Sequence, residues 1–343
     1  MMARWWTWPL AVAIASRLYS IGLIALLPSP VPVMKRFVTW DGGWYREIAQ
    51  YGYHAQPVAY GTNGPQHDFA FFPAWPAAMR LGTLGFLPLP LVSAVLANLF
   101  FVCGLVLLYR VLRARYPSAA GAGIALLAFS PSAYVFSMAY SEPLFLLLLA
   151  LSFTAGGAVS KSLAAAGLAL TRAAGLALLV PAAIAAWRGN WRVAVGLAGG
   201  VVVGIGLWSS FVWVLTGDPI AWLRASVGWS PDRGFAALAL VIQHPDPVRV
   251  SRMAFSLLVL AAAALSVKRD LELGGFSFAE TGMSMLAGTV YSAPRFALLG
   301  VSAYPELAAR LKRRGAVVLL IVFAVAQAYF VLTVFSGTPA HEP

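Results

Sequence analysis

Apolar runs dominate the chain, and polar residues punctuate it. The runs fall near residues 8–27, 86–109, 119–138, 142–159, 193–215, 251–267, 272–290, 295–310 and 315–335. A helix needs ~20 mostly apolar residues to cross a bilayer. The pattern therefore predicts an all-α polytopic membrane protein with about nine full transmembrane helices. Basic residues cluster at Arg110/Arg113/Arg115, Lys161, Arg188/Arg192, Lys268/Arg269 and Lys312/Arg313/Arg314. Placing these with Arg4 in the cytoplasm threads the chain self-consistently by the positive-inside rule. The N-terminus is then inside and the tail from Pro339 through His341 to Pro343 outside.

One segment resists this threading. Residues 162–187 lie between Lys161 and Arg188, both marked for the inside. So short a segment cannot cross a bilayer twice as full helices. The pattern predicts a hairpin of two half-helices meeting near Thr171-Arg172, and broken backbone at that depth is tolerated only around protein or a polar cavity. Two non-cytoplasmic loops, 28–85 and 216–250, are long and rich in Trp, Tyr, Pro and Gly. The first has helix-like pieces at Trp44–Gln50 and Ala74–Leu81, expected along the membrane surface. With no internal repeat and no natural boundary, residues 1–343 read as a single transmembrane domain.

Composition agrees with a lipid environment. Hydrophobic residues make up 60% of the chain and charged residues 10%, against roughly 25% charged in a soluble domain. The formal charge of +12 invites a nucleic-acid partner, but the basic residues punctuate apolar runs instead of forming one patch. The first run lacks a clear cleavage site and reads as a retained helix. The lone Cys103 allows no intramolecular disulfide.

Candidate chemistry gathers on the non-cytoplasmic side. Asp41, in Thr39-Trp40-Asp41-Gly42-Gly43-Trp44-Tyr45-Arg46, sits where backbone can approach a ligand closely. It suits a general base on a hydroxyl, or a helix N-cap. Asp68 is a second carboxylate in the same loop, and the pair leaves divalent metal binding open. Glu142, in Tyr140-Ser141-Glu142-Pro143, fits either a site residue or a helix start. Arg17, Arg172 and Arg295 lie within or beside apolar runs, where a charge costs ~2.5–3.5 kcal/mol and usually faces a cavity or a partner. For Arg17 the expectation is a salt bridge to Asp41, Glu142, Glu280 or Glu306. For Arg172 and Arg295 it is an anionic ligand, phosphate suiting their fork geometry. His54, His67, His244 and His341 lack metal-ligand spacing, and no nucleotide-binding or zincin motif is present.

At these motifs the sequence resembles the PIG-V family, which includes the second mannosyltransferase of GPI-anchor assembly. The resemblance rests on Trp40-Asp41, Tyr45, Ile48-Ala49, Gly52-Tyr53 and Phe69-Ala70-Phe71-Phe72-Pro73. It continues through Ser130-Pro131-Ser132-Ala133, Tyr140-Ser141-Glu142, Leu144-Phe145, Thr171-Arg172, Gly175, Gly217-Asp218-Pro219 and Pro294-Arg295-Phe296. It implies a GT-C glycosyltransferase fold, a polyprenyl-phosphate-sugar donor (typically mannose), inversion by direct displacement, and Asp41 as the base. The implied donor-phosphate residues are Arg172 and Arg295, with Arg46 a further candidate. Tyr45, Asp68, Tyr140 and Glu142 would contact substrate, where the family's eukaryotic members carry Asn at the Asp68 position. The Ala-, Arg- and Gly-rich composition points to a bacterial plasma membrane, with a glycolipid, glycan or protein acceptor among membrane lipids. The competing readings are a transporter or flippase of a lipid-linked substrate and a non-catalytic assembly subunit.

Overall fold

In the computed structural model the residues described are 5–61, 64–225, 228–229 and 232–336. Arg4 and the tail 339–343 with His341, markers of the threading above, lie outside them. The first membrane helix is α1 (Thr7–Leu26), followed by α2 (Val33–Arg36) and α3 (Asp41–Tyr51). A small hairpin, β1 (Ala59–Gly61) with β2 (Gly64–Gln66), leads to α4 (Ala74–Gly82) and the long α5 (Leu89–Arg115). Next come α6 (Ala120–Ala128), α7 (Glu142–Thr154), α8 (Ala158–Ala169), α9 (Leu179–Trp187) and α10 (Trp191–Thr216). The rest is α11 (Ala221–Ala225), α12 (Phe235–Gln243), α13 (Pro247–Val267), α14 (Leu271–Ala287), α15 (Ala293–Ala297) and α16 (Ala303–Phe335).

Five of these helices, α1, α5, α10, α13 and α16, are long and apolar enough to cross a membrane. Their outer faces expose Leu99, Val202, Val325 and similar side chains, while Phe101, Phe145, Phe276 and Phe330 fill the interior. This is an all-α polytopic membrane protein whose remaining apolar runs are shorter pieces. The run 295–310 becomes α15 plus the start of α16, which is kinked at Lys312 (φ 56°).

The run 119–138 is also interrupted: α6 stops at Ala128, and Ala133–Ser137 form a 3-10 turn. Pro131 removes a donor and disfavours helix at Ser130, which strands carbonyls in the interior. Arg17 takes them: Nη1 donates to Ala133 O (3.0 Å) and Ser137 Oγ (2.9 Å), and Nη2 to Ala128 O (3.3 Å). Its guanidinium also lies 4.0 Å from the Phe101 ring centroid. The expected partner for Arg17, an acid, is therefore corrected to backbone carbonyls left over from a broken helix.

The expected hairpin is present. Its arms are α8 and the stretch from the 3-10 turn Ala173–Leu178 into α9, meeting at Thr171-Arg172. The first arm packs on α10 through Gly196, Gly200 and Gly204; a Cβ at Gly204 would stand 2.6 Å from Ala166 O. Small residues allow such close helix approach within a bilayer.

Ion pairs gather most of the basic clusters at one end. Arg115 meets Asp270 (2.6 Å) and Glu272 (3.4 Å), Arg188 meets Glu272 (3.1 Å), and Glu306 holds Arg269 (3.1 Å) and Arg310 (2.7 Å). Lys161 Nζ donates to Ser152 O near the same end of α7 (3.1 Å). Asp41, Glu142, Arg172 and Arg295 lie at the other ends of the same helices and connections.

Candidate active site

The site is built by short segments that break helical runs. Arg36 closes the exit of α1: its guanidinium donates to Ile24 O (2.8 Å), Leu27 O (2.9 Å) and Val31 O (2.7 Å). The Ile24 and Leu27 carbonyls lie at the helix end, where they would otherwise be orphaned, and Val31 O belongs to the loop that follows. Phe37 O then accepts from Ala139 N (2.7 Å), tying the first loop to the turn before α7. Trp40 follows with φ 50° and ψ −121°, its ring 5.3 Å from Phe335. A non-glycine residue in that region stores on the order of 1–3 kcal/mol, a recurrent feature of functional sites.

Beyond Trp40 the helix begins at Asp41 itself, with no side-chain cap. The carboxylate of Asp41 is therefore free of capping duty and turns to Arg295: Nη1 lies 2.5 Å from Asp41 Oδ2. Gly42 lets the two loops meet, because a Cβ there would stand 3.3 Å from Ala139 Cβ. Three residues along from Ala139, Glu142 opens α7, but its side chain also looks inward. Glu142 Oε1 is shared by Arg295 Nε (3.2 Å) and Arg172 Nη1. Arg172 stands at the hairpin tip, and Leu170 O accepts from Ala74 N (2.9 Å), fastening that tip to the first loop.

Two carboxylates and two guanidiniums thus form one network of nearly cancelling charge. Glu142 is 1% exposed and Arg295 6%, whereas Asp41 is 26% exposed and reaches the opening. Burying such charges is tolerable only when they are paired. Arg172 lies 4.5 Å from the Phe296 centroid, and Arg295 4.8 Å from both Tyr140 and Phe296. The Tyr45 hydroxyl donates to Ser141 Oγ (3.0 Å). Burial pushes the Tyr45 phenol well above its ordinary range, so it stays protonated.

A cavity of about 420 Å³ opens over this network. Asp41, Tyr45, Arg172 and Arg295 line it, so four predicted site residues converge there, with Glu142 and Tyr140 directly behind. Two predicted residues lie elsewhere. Asp68 is 2% exposed and holds His54, accepting from its backbone N (3.0 Å) and meeting its Nδ1 (2.8 Å). Burial raises the Asp68 carboxyl above its ordinary value, and the His54 bonds oppose the rise. Arg46 pairs with Glu47 (2.8 Å) and faces a separate cleft. Among the described residues no three His, Cys, Asp or Glu side chains converge as metal ligands.

The cavity also uses residues that sequence reasoning passed over. Trp222, Trp229 and Arg233 come from the second long loop, and Ser284 and Ser292 from the α14–α15 corner. Trp229 packs on Trp44 (5.2 Å) and Phe71 (5.6 Å), closing one loop over the other. The aromatic richness of 216–250 was the available signal; which residues meet is a tertiary fact. Glu280 is likewise buried beneath Ser284, which donates to it (3.2 Å).

Comparison with solved structures returns the oligosaccharyltransferase of Archaeoglobus fulgidus in several forms. One, tethered to an acceptor peptide containing the NVT sequon, is 13% identical with a TM-score of 0.47, covering 96% of this chain and 55% of that one. The enzyme, AglB, in complex with an inhibitory peptide and a dolichol-phosphate is 14% identical with a TM-score of 0.49, covering 95% and 55%. The apo form is 13% identical with a TM-score of 0.49, also covering 95% and 55%. The chain spans about half the length of these structures. No protein-family model matches the chain, and no curated protein sequence does.

Proposed function

We propose that the protein is a membrane glycosyltransferase of the GT-C type. It would move a sugar from a polyprenyl-phosphate-sugar donor to a hydroxyl of a lipid or glycan acceptor, with inversion. The observation that carries this reading is the convergence of Asp41, Arg172 and Arg295, from three separate segments, on one cavity at the end opposite the basic clusters, with Glu142 behind it pairing with both arginines. Mannose as the sugar, a bacterial plasma membrane and an extracytoplasmic site follow from the PIG-V resemblance and the positive-inside threading.

The arrangement suggests how a single displacement runs. The donor phosphate binds at Arg172 and Arg295, with its sugar toward Asp41 and the aromatic wall of Phe71, Trp222 and Trp229. Asp41 Oδ2 and the phosphate then compete for Arg295. Donor arrival releases Asp41, and the freed carboxylate accepts the proton of the acceptor hydroxyl. The acceptor oxygen bonds to the anomeric carbon as the carbon–oxygen bond to phosphate breaks. The electron pair goes to the phosphate, where the two arginines stabilise the growing charge. Glu142 keeps both guanidiniums oriented between turnovers.

The test is transfer of labelled mannose from polyprenyl-phosphate-mannose by the purified chain, given a crude lipid acceptor pool. The reading expects label in a new product and release of polyprenyl phosphate. Neither product nor release with mannosyl or other polyprenyl-phosphate-sugar donors would favour a transporter of lipid-linked substrates.

A further inference from the structure

A second charged recess lies on the other side of α3. Asp41 and Tyr45 face the catalytic cavity, whereas Arg46, Glu47, Gln50 and Tyr51 face a cleft of about 560 Å³. Its far wall holds Arg80 from α4, and its floor is the turn from Thr83 into the first residues of α5, Leu89 and Pro90. Arg80 is exposed and makes no ion pair among the described residues. Glu47, paired to Arg46, is the one acid on the cleft wall among the described residues, so the recess they form is net cationic.

The depth of the cleft is set by α5. A membrane-spanning helix starts at its floor, which puts the two arginines at headgroup level. Below it, α5 exposes Leu91 (48%), Val95 (55%) and Leu99 (51%). Four-residue spacing places these on one face of the helix, descending from the cleft. Beside it Leu81, Leu84 and Phe86 are also largely exposed. A cationic recess over an apolar stripe matches an amphipathic anion. A free phosphate would leave the stripe unused, and a neutral lipid would leave the arginines unused.

We propose that this cleft binds the headgroup of an anionic phospholipid, with its phosphate between Arg46 and Arg80 and an acyl chain along Leu91, Val95 and Leu99. The bound lipid seats the α3–α4 pair at the membrane surface and buttresses α3 on the face opposite Asp41. It is separate from the donor, whose phosphate site is Arg172 and Arg295.

Native mass spectrometry of the full chain, titrated with phosphatidylglycerol and with phosphatidylcholine, reads this directly without any turnover. Wild type is expected to retain phosphatidylglycerol in preference. Arg46→Gln/Arg80→Gln is expected to weaken that retention on the order of tenfold or more. The exposed Arg192→Gln control should leave it unchanged, as should excess inorganic phosphate. Equal retention of the two lipids by wild type, full retention by the double variant, or displacement by inorganic phosphate would each overturn the proposal. The wild-type comparison stands even if the double variant fails to fold.

Discussion

At the scale of single residues, the shared carboxylate of Glu142 is the keystone of the charge network. Glu142→Gln leaves the buried Arg295 and the partly exposed Arg172 short of a counter-charge, and breaking a buried pair costs ~3–5 kcal/mol. The variant is expected to lose both thermal stability and transfer. Asp68→Asn should behave oppositely, since Asp68 holds His54 away from the cavity rim. Transfer should stay within severalfold of wild type, and a loss as deep as that of an Asp41 variant would return Asp68 to the site. Asp68 also carries a pH signature. Its carboxyl is raised above 3.8 by burial, so the native state binds more protons than the unfolded state just above that pH. Stability contributed at low pH is therefore lost as pH rises through the raised value. Melting curves against pH should flatten in Asp68→Asn; an unchanged slope would contradict the assignment. Which acid reaches the cavity was partly legible beforehand. Asp41 stood out because Trp and two glycines flank it, while the separation of Asp68 depends on His54, which no spacing reveals.

Elements, more than residues, decide where the arginines end up. The hairpin was legible because two inside-marked basic clusters enclosed too few residues for two crossings. Its tip is shaped by Gly175, where a Cβ would lie 2.7 Å from Ala169 Cα. Gly175→Leu should force the arms apart and move Arg172, at a cost of typically ~1–3 kcal/mol for overpacking. Donor affinity should fall along with turnover, a pairing that a binding assay on the purified variant can check. The break after Ala128 was less visible, because its apolar run reads as continuous until Ser130-Pro131. There the expectation of a salt bridge for Arg17 failed for a physical reason. A buried guanidinium needs acceptors, and carbonyls released by a broken helix supply them as well as a carboxylate does. Arg172 and Arg295, expected to meet an anionic ligand, are paired with Glu142 and Asp41 in the structure; under the proposed mechanism the donor phosphate competes with Asp41 for Arg295.

Over the whole molecule, the two ends differ in kind. One end carries ordinary pairs among Arg115, Arg188, Arg269, Asp270, Glu272 and Glu306; the other carries the cavity, its aromatic loops and the anionic-lipid cleft. That polarity was readable from basic punctuation alone, since topology signals are written in loop charge. The span count is less legible: among the described residues five helices are long and apolar enough to cross a bilayer, and the other apolar runs form shorter helices or are broken by turns. Sidedness can be tested in a Cys103→Ser background with a membrane-impermeant thiol reagent on intact cells. Gln56→Cys in the first long loop should label, and Arg192→Cys at the basic end should not; the reverse pattern would invert the proposed orientation.

In the proposed mechanism Asp41 is the base and Arg295 its partner until donor arrives. The most direct measurement is donor binding and sugar transfer, side by side, for wild type and Asp41→Asn. Asp41→Asn should bind polyprenyl-phosphate-mannose at least as tightly as wild type, because Arg295 no longer has a competing carboxylate. Its transfer should fall by on the order of a hundredfold or more. Transfer near the wild-type rate, or loss of donor binding in a protein that still folds, would contradict the account.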